Sequence, residues 1–97
     1  MKVLVTGGTG LVGQAVRDVM NFDAYYANST DANLTQYDEV ISLINQHKPT
    51  HILHLAANVG GLFKNMRSKV QMFEDNLIMN LNVLKAAHEC DVNNVIS

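Results

Sequence analysis

Cysteine occurs once in this chain, as Cys90, and proline once, as Pro49. A lone thiol excludes an internal disulfide. Charge is sparse as well: seven Lys and Arg against nine Asp and Glu leave a net charge of −2, with no basic block. That argues against nucleic acid and anionic membrane surfaces as partners. No apolar run approaches the roughly 20 residues of a membrane span. Met1-Lys2-Val3 runs straight into an apolar stretch, so we expect no signal peptide. There are no repeats and no low-complexity segments. Together these absences describe one small soluble domain of 97 residues, expected in the cytoplasm.

What is present begins with glycine. Gly7, Gly10 and Gly13 punctuate Val5-Thr6-Gly7-Gly8-Thr9-Gly10-Leu11-Val12-Gly13, after the apolar run Val3-Leu4-Val5 and before a helix-like stretch over residues 11–20. Gly7 supplies the positive φ of a tight turn after a strand. Gly10 lets the backbone approach a pyrophosphate, and Gly13 lets the helix lie close on the sheet. The helix N-terminus offers free N–H groups and partial positive charge to phosphates. Strand, glycine turn and helix in this order point to nucleotide binding.

The rest of the chain alternates in the same way. Residues 2–6 read as a buried strand, because their apolar residues are consecutive rather than alternating. Residues 24–27 read as a second strand and 28–33, rich in Asn, Ser, Thr and Asp, as a loop. Residues 38–46 carry helical spacing, with Asp38 and Glu39 in the first turn, where the helix dipole favours them. Lys48-Pro49-Thr50 is a turn, 51–55 a third strand and 56–64 a loop containing Gly60-Gly61. Val70, Phe73, Leu77, Leu81 and Leu84 mark a long helix over 69–89, and 93–96 form a fourth strand. The order βαβαβαβ is an α/β chain with a parallel sheet of about four strands and helical crossovers, a partial Rossmann fold. In the usual 3-2-1-4 order the fourth strand lies at an edge, with Val95 and Ile96 unpaired on one side. Such an edge invites self-association, and a domain this small is marginally stable.

His54-Leu55-Ala56-Ala57, taken with the glycine run, resembles the extended short-chain dehydrogenase/reductases. Residues 49–57 with Val59-Gly60-Gly61-Leu62, and residues 75–84, are similar to the GDP-L-fucose synthase branch of that superfamily. These enzymes are NADP-dependent epimerase/reductases acting on GDP-4-keto-6-deoxy-mannose. The resemblance implies a cofactor site made by Gly7, Gly8, Thr9, Gly10, Leu11, Val12 and Gly13 at the pyrophosphate, Asn33 and Leu34 at the adenine, and Leu55, Ala56 and Ala57 toward the nicotinamide. It also implies a GDP-sugar substrate and a homodimer for the whole enzyme. The family's catalytic Ser-Tyr-Lys set maps onto nothing here. Ser97 is not that serine, and Cys90 is not the family's epimerisation cysteine. Residues 1–97 therefore read as the N-terminal part of an NAD(P)-binding domain, ending before the catalytic residues. Loss of a positioned acid alone costs ~10²–10⁴ in rate, so the chain is expected to be inactive. A non-catalytic dinucleotide-binding or subunit-pairing module, or a piece of another nucleotide-sugar epimerase or dehydratase, are the alternatives.

The cofactor's ribose is addressed at the end of the second strand, where an acidic residue favours NAD. Asn28 and Ser29 stand there, Asp31 follows, and no Lys or Arg lies between Arg17 and Lys48. Loop chemistry alone leaves NAD and NADP open; the resemblance implies NADP. His51 and His54 are spaced i,i+3, which puts them on opposite strand faces, so no metal site is expected. His47 and His88 read as solvated helix ends, and Cys90 as a quiet small side chain. Asn76, Asn80 and Asn82 crowd one helix although asparagine is a mediocre helix former. Asn76 resembles the asparagine that supports the active site in short-chain reductases; a polar face, or a bond to a neighbouring loop, explains the group equally well. Lys64 and Arg67 flank the Gly60-Gly61 loop and read as solvated charges.

Overall fold

Val3, Leu4 and Val5 sit at the middle of the sheet, and all three are buried. A strand that is apolar on both faces needs cover on both, and a neighbour at each edge removes its backbone from water as well. The computed structural model of the protein describes residues 1–7, 23–55 and 65–96. The expected helix over 11–20 and the loop over 56–64 lie outside these residues. Strand β1 is Lys2–Thr6, β2 Asp23–Ala27, β3 His51–His54 and β4 Asn94–Ile96; helix α1 is Tyr37–His47 and α2 Met66–Glu89. All strand pairs are parallel.

The strand order is β2-β1-β3-β4. This corrects the expected 3-2-1-4 order: β3 pairs with β1, not with β2, and β4 pairs with β3. The reason lies in the strands themselves. The middle of β1 is apolar without interruption, whereas Asp23 and Tyr25 of β2 are exposed, which suits an edge. Chain connection therefore passes from β2 across β1 to the far side. Thr50 secures the new pair at its start, since its N–H donates to the Lys2 carbonyl at 2.8 Å. At the other end the Leu55 N–H donates to the Thr6 carbonyl at 3.0 Å, carrying the ladder one step beyond β3.

One face of the sheet is closed by α1 and the C-terminal half of α2. Leu4 and Ile52 from the strands meet Val40, Leu43 and Ile44 of α1 and Val83, Ala86 and Ala87 of α2 in one core cluster. Small alanines at the contact let the helix approach closely. Each helix ends on a left-handed residue. Lys48, at φ 46°, returns its N–H to Ile44, and Pro49 then bars continuation. After α2, Asp91 at φ 60° is followed by Val92, whose N–H donates to the Ala87 carbonyl at 2.8 Å. That is a Schellman stop, with Val92 buried as its apolar anchor. Helix α2 begins three residues before the expected start because Asn65 caps it, accepting from the Ser68 N–H at 3.0 Å.

One face of α2 is left in solvent: Val70, Phe73, Leu77, Leu81 and Leu84 are all exposed, Phe73 at 63%. On β4, Ile96 is also 63% exposed. An apolar helix face and an open strand edge each favour association. We expect the 97-residue chain to self-associate in light scattering, and Ile96→Lys with Leu77→Lys to shift it toward monomer. A monodisperse, cooperatively melting parent monomer would contradict this.

Candidate functional site

Strands β2 and β3 lie on opposite sides of β1, so the boundary between β1 and β3 is the switch point of the sheet, and a doubly wound fold binds its ligand outside the C-terminal ends of such strands. Gly7 and Leu55 follow β1 and β3 at that end. Gly7 has φ 72°, in the region a Cβ disfavours, which is the turn the sequence led us to expect. Leu55 is half-buried, its N–H held by Thr6. Gly8, Thr9, Gly10, Leu11, Val12, Gly13, Ala56 and Ala57 fall outside the described residues.

At the C-terminal ends of β1 and β3 lies a buried polar group. Thr6 and His54 are register partners across β1 and β3, and Thr6 Oγ1 lies 2.6 Å from His54 Nδ1. On the other side of the ring, Nε2 lies 2.7 Å from Asn80 Oδ1 of α2. Since Asn80 Oδ1 only accepts, this amide orientation assigns the ring proton to Nε2, and Nδ1 then accepts from the Thr6 hydroxyl. Burial pushes the His54 pKa below its ordinary value, with the Asn80 bond opposing in part. The imidazole is thus held neutral, as a strut joining two strand ends to α2. His51 points to the other face and contacts Thr50 Oγ1 through Nδ1 at 2.8 Å, so the two histidines separate as the strand period requires.

The segment after β2 is tied to α2. Asn82 of α2, buried, donates through its amide to the Leu34 carbonyl at 2.9 Å. Leu34 itself packs into the core cluster. Asn33 is exposed, its Oδ1 accepting from Thr35 N–H at 3.1 Å and Thr35 Oγ1 at 2.7 Å. Its N–H donates to Glu39 Oε1 at 2.9 Å. The three asparagines of α2 thus gain a partial explanation: Asn80 holds the histidine and Asn82 holds the loop. Asn76, the one that resembled an active-site support, makes neither of these two bonds. Sequence reading had passed over His54 as a strut, and the only local signal was a polar residue in a strand otherwise fit for burial.

Other candidates lie elsewhere. His47 is not simply solvated; its ring stacks on Tyr25 with centroids 3.9 Å apart. Cys90 sits at the far end of α2, in a shallow pocket with Ile44, Asn45 and Lys48. Burial, then the nearby Glu89 and Asp91 carboxylates, push its thiol pKa up, which disfavours the reactive thiolate. Arg67 is exposed in the first turn of α2, while Lys64 and Ser97 are outside the described residues. No described helix is long and apolar enough to cross a membrane.

Two outcomes follow from this geometry. Because the folded-state pKa of His54 is lowered, its neutral form stabilises the fold fully above the ordinary value of 6.5. That stability is lost as pH falls through the window below, where the unfolded chain takes up a proton and the folded chain resists it. Urea midpoints at about pH 7.5 and about pH 5 should differ, and His54→Gln should narrow the difference. Asn82→Ala leaves the Leu34 carbonyl without its partner and should cost about 1–3 kcal/mol in the same melts.

Comparison with known proteins agrees with this architecture. Residues 3–97 match the sequence profile of the NAD dependent epimerase/dehydratase family. A probable GDP-L-fucose synthase from Drosophila melanogaster is 46% identical over 99% of this chain and 32% of its own length. GDP-L-fucose synthase from Dictyostelium discoideum is 42% identical over 98% of this chain and 32% of its own. The chain thus spans about a third of the length of the curated relatives it matches. The crystal structure of a GDP-L-fucose synthetase from Naegleria fowleri bound to NADP superposes with a TM-score of 0.84 at 39% identity, covering 96% of this chain and 31% of that one. UDP-glucose 4-epimerase from Thermus thermophilus, at 24% identity and a TM-score of 0.83, shares the fold. With the family profile matched over residues 3–97, from the first strand to the last residue, this chain belongs to the NAD dependent epimerase/dehydratase family.

Proposed function

We propose that this chain is the NADP-binding part of a GDP-L-fucose-synthase-type epimerase/reductase, cytoplasmic, and that by itself it binds dinucleotide without turnover. The observation that carries the reading is the switch point between β1 and β3. Gly7 turns the chain there at φ 72°, and α2 pins the loop after β2 through Asn82. Those residues fit a dinucleotide: a side-chain-free turn at one strand end leaves room for backbone approach, and a polar loop lies at the neighbouring strand end. The similarity at 46% and 42% identity to GDP-L-fucose synthases supports the GDP-sugar branch over other epimerases.

In this reading Gly7, Gly8, Thr9, Gly10, Leu11, Val12 and Gly13 hold the pyrophosphate. Asn33 presents its exposed amide to the adenine, with Leu34 fixing the loop from the core side. Leu55, Ala56 and Ala57 line the path toward the nicotinamide. The bound cofactor supplies hydride. The chain's own residues bind, orient and exclude water; no Ser-Tyr-Lys set among them delivers a proton to a ketone. Homodimerisation through the rest of the family enzyme completes the reading.

NADPH fluorescence titrated against the purified chain should saturate, while incubation with NADPH and GDP-4-keto-6-deoxy-mannose should leave the cofactor unoxidised. A titration without saturation would overturn the binding role. Turnover of the keto sugar by this chain would overturn the claim of inactivity.

A further inference from the structure

Residues 28–36, between β2 and α1, contain one carboxylate, Asp31. At this place in a doubly wound sheet an acid that faces the crevice binds ribose hydroxyls and disfavours a 2′-phosphate. Asp31 is otherwise engaged. Its Oδ1 accepts from the Tyr25 phenol at 2.8 Å, and its Oδ2 accepts from the Asn28 N–H at 2.8 Å. The turn closes on itself around these bonds. Asp31 N–H donates to the Asn28 carbonyl at 3.0 Å. Asn28 Oδ1 accepts from the Thr30 N–H at 2.9 Å and from the Thr30 hydroxyl.

Tyr25 is itself held. Its ring stacks on His47 of α1 with an interplanar angle of 22°, so its hydroxyl lies on the face that α1 covers. The bond therefore ties the carboxylate to a ring that α1 holds. The two groups reinforce one another: the Asn28 N–H, then the phenol, hold the Asp31 carboxyl below its ordinary pKa. The Asp31 bond in turn holds the phenol protonated, its pKa raised. Both groups are exposed, so water screens the bare charge; the direction of the acceptor lone pairs is what a nucleotide meets.

We infer that Tyr25 is a specificity-determining residue: by keeping Asp31 inside the loop's own hydrogen bonds, it leaves the end of β2 open to the 2′-phosphate of NADP. This rests on the dinucleotide-binding reading above. The phenol acts through Asp31 rather than by touching the nucleotide.

Calorimetric Kd values for NADP and NAD, which differ only in the 2′-phosphate, test it on the full chain. The parent should prefer NADP. Tyr25→Phe keeps the ring and its stack but removes the hydroxyl, and should lower the preference by about two- to fivefold, the scale of an exposed charged contact. Asp31→Asn in the Tyr25→Phe background should restore it. Circular dichroism melts accompany each variant. A Tyr25→Phe chain that melts like the parent and keeps the parent's preference would overturn the inference. So would a loss that Asp31→Asn does not rescue, or a parent that binds both nucleotides equally. A parent that binds neither would overturn the nucleotide-binding reading, and this inference with it.

Discussion

Everything in this fold follows from one strand being apolar on both faces. Val3, Leu4 and Val5 are buried on the two sides of the sheet, so β1 takes an interior position, with β2 on one side and β3 on the other. Once β2 occupies one side, a third strand that is to pair with β1 must arrive on the other. That crossing makes the boundary between β1 and β3 the switch point of the sheet, and Gly7 follows β1 there at φ 72°.

The strand ends and the loop after β2 are tied to α2 by polar pegs as well as by apolar contact. Burying a polar side chain is costly unless it is bonded, and the buried Thr6, His54 and Asn82 each have a partner. Asparagine weakens a helix modestly, by well under about 1 kcal/mol; a satisfied buried hydrogen bond offsets that loss. Asn80 and Asn82 therefore make sense in α2 as connections outward, one to the strand ends and one to the loop after β2. The same helix carries an unmet apolar face, where Phe73, Leu77 and Leu81 stand in solvent. The chain spans about a third of the length of its curated relatives.

The loop after β2 shows how little a residue's identity says about its role. Asp31 is the one acid where an acid counts, yet both of its oxygens are engaged within the protein. Asn33 likewise spends its side-chain oxygen on Thr35, so the loop holds hydrogen bonds of its own. Preorganisation of this kind lowers the ordering cost of binding.

Local patterns in the sequence determined most elements and the glycine turn. Consecutive apolar residues mark β1, and the helical spacing around Val40, Leu43 and Ile44 bounds α1 to within one residue at each end. Gly7's positive φ was legible because the steric demand of a tight turn acts within a few residues. The start of α2 was misplaced because Asn65's capping bond lies outside the apolar period that marked the helix. Only the tertiary structure decided the strand order, the roles of Thr6, His54, Asn80 and Asn82, and the confinement of Asp31. Strand order rests on pairings between distant segments, and the partners of His54 and Asn82 come from other elements of the fold. A local period in the chain carries no record of what packing will bring within 3 Å.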